Sequence, residues 1–329
     1  MINVAILGAG NIARKMSQTL RGMLKQGNRG VAMHSVASRD IEKARRFAGE
    51  YGFEKAYGSY EEMLRDPDVD LVYVATPHSH HYEHIMLCIK HGKHVLCEKP
   101  FTVNARQAEE AFSQARRKGL YAAEAIWTRY LPSRRMMNDI ISSGAIGKPH
   151  VLTANLAYVL DHLERMRKPE LAGGALLDLG VYTLNFAAMV LGDNIADIQT
   201  TAQMTDTGVD MQDAITLSFT GGEMAVLCTA MNCVGDNRGV VYGTKGTLTA
   251  DDIINPMAIT VTPIDKTKEP KTYHAPEQIT GYEYEVQAAA DAIERGQVEC
   301  EAMPHDETVR IMQLMDDIRA MWGLKYPYE

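Results

Sequence analysis

Ile2-Asn3-Val4-Ala5-Ile6-Leu7-Gly8-Ala9-Gly10-Asn11-Ile12-Ala13 decides the fold. A continuous apolar run ends in glycines, a helical pattern follows to about Lys25, and a second apolar run covers Val31 to Ala37. That succession predicts a β-α-β unit, the apolar runs being strands of a sheet covered on both faces. Gly8, Gly10 and Ala13 fit the spacing G-x-G-x-x-G/A between strand and helix. Gly8 permits the tight turn, Gly10 lets the backbone approach a pyrophosphate, and Ala13 lets helix and strand pack closely. The helix-start amides, at Asn11 and Ile12, then face the anion. A dinucleotide is the expected ligand.

Working outward, apolar runs alternate with helical patterns as far as a short strand at Leu120 to Ala123, which means a parallel, doubly wound sheet. After Ala123 the grammar changes. Strand-like stretches follow one another from Ile198 without long helices between them, which reads as a mostly antiparallel open sheet, and two amphipathic patterns, Tyr282 to Glu294 and His305 to Trp322, close the chain. The expected organisation is a dinucleotide-binding domain over residues 1–123 and an α+β domain for substrate binding and oligomerisation over 124–329. The broad face of the open sheet suggests a homodimer.

Composition narrows the partners. With 34 Lys+Arg against 42 Asp+Glu the net charge is −8, and 46% of the 329 residues are hydrophobic. An acidic chain does not suit nucleic acid or anionic membrane as main partner, so a small-molecule substrate is expected. No apolar run of bilayer-spanning length is evident and Met1 leads straight into a strand, so the expected location is the cytoplasm. The five cysteines contain no C-x-x-C pair, which argues against a disulfide framework or a zinc ribbon.

The end of the second strand reads Ala37-Ser38-Arg39. An acid there would accept from a ribose 2′-hydroxyl, whereas a base pairs with a 2′-phosphate, so Ser38 and Arg39 favour NADP over NAD. Asp40 stands one or two residues late for the acidic role. Glu98-Lys99-Pro100 follows another strand, at the sheet edge where ligands bind, and Lys99 there could stabilise a developing alkoxide. His78-Ser79-His80-His81-Tyr82-Glu83-His84 places His80 and His84 on one helix face, but no third ligand is evident and no metal is expected. Farther on, Asp178 and Tyr182 lie four apart at the start of a helical pattern, so a helical turn would put both on one face.

Gly8 to Ala13, Ala75-Thr76-Pro77 and Gly92 to Pro100 together resemble the glucose-fructose oxidoreductase/inositol dehydrogenase/rhizopine catabolism (Gfo/Idh/MocA) family, across nearly the whole chain. Glu124 to Pro132 and Gly173 to Tyr182 are similar to its dihydrodiol and NADP-dependent xylose dehydrogenase branch. The resemblance implies an N-terminal Rossmann domain and a nicotinamide-dependent oxidoreductase. It implies that Thr76, Pro77, His78 and His81 line the nicotinamide ribose beside Glu98, Lys99 and Pro100. It also implies that Tyr182 donates or accepts the proton, with Lys99 and Asp178 in support. Trp127 and Arg129 would then flank substrate or nicotinamide, with Arg165 near the cleft. Where Tyr182 stands many inositol dehydrogenases of the family carry histidine, with an acid three positions on; Asn185 here counts against an inositol-type substrate. The expected reaction is hydride transfer between NADP and a sugar or vicinal diol. Two competitors are an NAD-dependent glycoside hydrolase on the same fold and a non-catalytic NADP sensor.

Overall fold

The computed structural model describes all residues, Met1–Glu329. The chain divides into two compact units, and neither is continuous in sequence. Met1–Tyr130 with Gln278–Met312 forms the first, and Leu131–Glu277 with Gln313–Glu329 forms the second. The boundary expected near Ala123 therefore lies at Tyr130, and the chain returns to its first unit late. Helix His305–Trp322 is counted partly with each.

In the first unit six parallel strands, β1 (Ile2–Leu7), β2 (Val31–Ala37), β3 (Lys55–Tyr57), β4 (Leu71–Val74), β5 (His94–Glu98) and β6 (Ala122–Ala125), stand in the order β3-β2-β1-β4-β5-β6. Strand order reverses at β1, which pairs with β2 on one side and β4 on the other. Crevices at such a switch point are where open α/β sheets bind ligands. Val4 to Leu7 and Leu71 to Val74 are all buried, as strands covered on both faces must be. Side chains set the helix starts: Asp40 accepts from the amides of Glu42 and Lys43, Ser59 from Glu62, and Asn104 from Gln107. Each such cap contributes about 1 kcal/mol.

Gln278–Met312 completes this unit through specific contacts. The Thr19 and Thr280 hydroxyls lie 2.6 Å apart, and Asn28 donates to Gln287 at 2.8 Å. The Ala122 amide, on the edge strand, donates to Val298 O at 3.1 Å, so the returning chain covers that edge. Phe112 stacks on His305 with ring centroids 4.0 Å apart.

The second unit holds an eight-stranded sheet of β7 (Pro149–Ala157), β8 (Ile195–Met204), β9 (Asp210–Phe219), β10 (Met224–Ala230), β11 (Gly239–Gly243), β12 (Gly246–Ala250), β13 (Ala258–Pro263) and β14 (Lys271–His274). Their order is β14-β13-β12-β11-β7-β10-β9-β8, and only β7 and β10 pair in parallel. Strand β10 shows the alternation of a half-covered sheet: Ala225, Leu227 and Thr229 are buried while Met224, Val226 and Cys228 are exposed. Helix Val181–Leu191 packs on the covered face, where the Phe186 ring reaches Gly239 so closely that a Cβ there would lie 2.3 Å from Cζ. One expectation needs correction. Pro169–Leu191 is long and apolar enough to cross a membrane by length and composition, and 78% of the 18-residue apolar window within it is buried within the fold. Short helical pieces hid its apolar length in the sequence.

Candidate functional site

The glycine turn is built as its spacing predicts. Gly8 has φ +111°, a region L side chains avoid, and a Cβ on it would lie 2.8 Å from Ala75 O. Gly10 opens helix Asn11–Lys25 with no side chain capping the first-turn amides, and a Cβ on it would meet nothing within 4 Å. Open space before an uncapped helix start suits an anion held by backbone N–H groups and the helix dipole. The residues present therefore fit a dinucleotide pyrophosphate, with the amides of Gly10, Asn11 and Ile12 as its donors.

At the end of β2, Ser38 is buried and its hydroxyl accepts from the Asp40 amide at 3.3 Å. The Asp40 carboxylate caps its own helix, so the acid that sequence left in doubt is already engaged. Arg39 is exposed, the one charged side chain at this strand end free of that capping role. Its charge acts on Tyr60 and on His84, whose pKa burial pushes down to about 4.

Beyond β4 and β5 the loops are tied to each other. His81 is fully buried, with Nδ1 2.8 Å from Pro100 O and Nε2 2.8 Å from Thr76 O. Burial pushes its pKa down to about 4, against the two carbonyl oxygens, which favour the protonated ring. His81 is thus a clamp between the Thr76 and Pro100 loops, both of which carry residues expected at the nicotinamide ribose. Its Nε2 and Nδ1 are engaged by backbone that no sequence spacing reveals. Thr76 Oγ1 meets His84 Nδ1 at 2.9 Å, while Pro77 is exposed and His78 half-buried. His80 stacks on His84 with ring centroids 5.8 Å apart. The Lys99–Pro100 peptide is cis. Glu98 is buried; it accepts from the Tyr73 hydroxyl and, at 3.3 Å, from the Lys99 amide.

Glu124 is a residue sequence reasoning passed over. It is fully buried, accepts from the Phe101 amide at 3.0 Å, and burial pushes its pKa up to about 7 against the opposing charges of Arg129 and Lys99. It fixes the backbone just beyond Pro100. Its sequence signals were an acid at the end of an apolar run and its place at the head of the Glu124 to Pro132 stretch. Trp127 is buried and stacks on Tyr282 at 4.5 Å between centroids. Arg129 pairs with Glu307, which also accepts from Arg310, so its guanidinium secures the 127–130 turn inside the first unit. The partner in that contact lies 178 residues away.

In the second unit Asp178 lies in the π-helical turn Leu176–Gly180 and Tyr182 at the start of helix Val181–Leu191, both buried. The one-face expectation assumed an α-helical turn; here one wider turn intervenes, and π-turns recur at functional sites. Arg165 holds Asp178 with both guanidinium nitrogens, at 3.1 and 3.4 Å. Arg165 is half in solvent, and it serves as the carboxylate's partner. Asn185 is buried and returns its amide to Val181 O at 2.8 Å. Elsewhere His34, Asp66 and Asp68 bring three ligand-type groups together, but the Lys55 ammonium lies 2.9 Å from Asp66 and 3.3 Å from Asp68 and offsets one of their two negative charges.

Comparison with known proteins agrees with this geometry. Residues 2–125 match the oxidoreductase family with an NAD-binding Rossmann fold, and residues 135–249 match the GFO/IDH/MocA C-terminal domain. Trans-1,2-dihydrobenzene-1,2-diol dehydrogenase of Danio rerio is 32% identical over 326 residues, spanning 98% of this chain and 97% of that protein. The Bos taurus protein of the same name is 32% identical over 98% of both chains. The crystal structure of KijD10, a 3-ketoreductase from Actinomadura kijaniata in complex with NADP and TDP-benzene, matches with a TM-score of 0.87 at 26% identity over 97% of both chains. An aldose-aldose oxidoreductase from Caulobacter crescentus shares the fold, with a TM-score of 0.87 at 23% identity over 98% of both. Two domains of one family, matched in order over residues 2–125 and 135–249, place this chain in the Gfo/Idh/MocA oxidoreductase family.

Proposed function

We propose that this protein is an NADP-dependent oxidoreductase that interconverts carbinol and carbonyl on a vicinal diol or sugar. The observation that carries the reading is the uncapped start of helix Asn11–Lys25 behind Gly8 and Gly10. The choice of NADP rests on Asp40 being engaged as a helix cap while Arg39 remains exposed. The dihydrodiol dehydrogenase relatives and the NADP-bound ketoreductase support the same chemistry.

When bound, NADP supplies or takes up the hydride. Tyr182 would hold or release the proton at the substrate oxygen, and Lys99 would stabilise negative charge there. The Arg165–Asp178 pair steadies the turn leading to Tyr182. A tyrosine near its ordinary pKa of about 10 needs a cation to exchange protons near neutrality, and Lys99 is the proposed source. For the assembly we propose a homodimer formed on the uncovered sheet face, where Met224, Val226 and Tyr242 are exposed. Sedimentation should show Val226→Glu shifting the protein toward monomer.

The main test titrates NADPH and NADH by fluorescence, then screens diols and aldoses with the preferred cofactor. Tyr182→Phe should lose about 10²- to 10⁴-fold in kcat with NADPH affinity retained. Preference for NADH would overturn the role of Arg39. Tight NADPH binding without turnover of any diol or aldose would instead favour the hydrolase or sensor alternative.

A further inference from the structure

The turn that carries Asp178 and Tyr182 is gripped from two sides by residues far away in sequence. Gly173 and Gly174 precede it, and neither has room for a side chain. A Cβ on Gly173 would lie 2.6 Å from Met166 O, and one on Gly174, at φ +119°, would lie 2.1 Å from Asp210 Oδ1. The Gly174 amide donates to Met166 O at 3.0 Å, so the same turn fixes the chain beside Arg165, the partner of Asp178.

Asp210, at the start of β9, is fully buried, and its Oδ2 accepts from the Leu176 amide at 2.6 Å, at the first residue of the π-turn. On the other side the buried Tyr326 hydroxyl donates to Gly173 O at 2.8 Å. Tyr326 is itself held. The Arg319 guanidinium lies over its ring at 4.9 Å and forks onto Glu329 at 2.8 and 2.9 Å, while the Tyr326 amide donates to the same carboxylate at 2.9 Å.

We propose that Asp210 and Tyr326 are positioning residues for Tyr182, fixing the Gly173–Gly174 turn from which the Asp178–Tyr182 segment starts. This requires no contact with substrate. A displacement of about 1 Å at a proton-transfer group costs up to about 10²-fold in rate, so a fixed turn has catalytic value. The inference rests on the assignment of Tyr182 above.

The test is a double-mutant cycle in the full chain, with kcat, KM and NADPH affinity measured for wild type, Tyr326→Phe, Tyr182→Phe and the double variant. Amide exchange is followed over residues 173–182. Tyr326→Phe removes one hydroxyl and should lower kcat about 5- to 50-fold, with faster exchange in that segment and unchanged NADPH affinity. In the Tyr182→Phe background the same substitution should have no further effect on kcat. Asp210→Asn keeps an acceptor oxygen and should retain more activity than Asp210→Ala. A Tyr326→Phe loss that persists in the Tyr182→Phe background, or unchanged kcat and exchange, overturns the inference while leaving an inactive Tyr182→Phe as support for the acid–base assignment. Wild-type turnover by Tyr182→Phe overturns that assignment and this inference with it.

Discussion

At Gly8 the backbone does work that no other residue could do in its place, since both its φ and the nearby Ala75 carbonyl exclude a Cβ. Gly8→Ala should cost about 1–3 kcal/mol in unfolding free energy and weaken NADPH binding, read by denaturant titration and by fluorescence. Asp40 and Arg39 make a sharper pair. Asp40→Ala should cost about 1 kcal/mol through the lost cap while leaving cofactor preference unchanged. Arg39→Asp should leave stability nearly unaltered and move preference from NADPH toward NADH. The glycine turn was legible in the sequence because its demands are local to Gly8 and Gly10. His81 and Arg129 were not, because what decides their roles is backbone at Thr76 and Pro100 and a carboxylate at Glu307.

Among the elements, β9 carries two buried carboxyls, Asp210 and Asp213, three residues apart. Burial, then the charge of Asp210, pushes Asp213 up to about 8, and its carboxyl accepts from Thr229. Between about pH 4 and 8 the folded state keeps a proton that the unfolded chain has released, so this contribution to stability falls as pH rises through that window. Urea unfolding from pH 5 to 8.5 should show Asp213→Asn losing less stability with rising pH than wild type. His81 and His84, held neutral by burial, contribute the opposite slope, with stability lost as pH falls from about 6.5 toward 4. Most strands and helices were readable from periodicity. Lys55–Tyr57 and Lys271–His274 escaped because three or four residues, the latter polar and on a sheet edge, leave no period to detect. The parallel pairing of β7 with β10 was unreadable for a different reason: partner choice lies in the topology, not in either strand's own pattern.

For the whole molecule, composition favoured a small-molecule partner, and the change from alternating to strand-rich grammar pointed to a boundary near Ala123, where the first unit runs on to Tyr130. What composition could not show is the return of residues 278–312 to the first unit, because amphipathic helices carry no mark of which sheet they will cover. That return has a consequence for synthesis. When Tyr130 leaves the ribosome, the edge of β6 has no Val298 carbonyl to pair with and Trp127 has no Tyr282 ring to stack on. At about 5–20 residues per second the missing segment follows roughly 10–30 s later, and all eight strands of the second sheet emerge in the interval. An unpaired strand edge held open for that long is a target for chaperones and a template for misassembly. Nascent chains arrested at increasing lengths should gain protease resistance in their first 130 residues only after Met312 has cleared the exit tunnel, so the half made first is finished late.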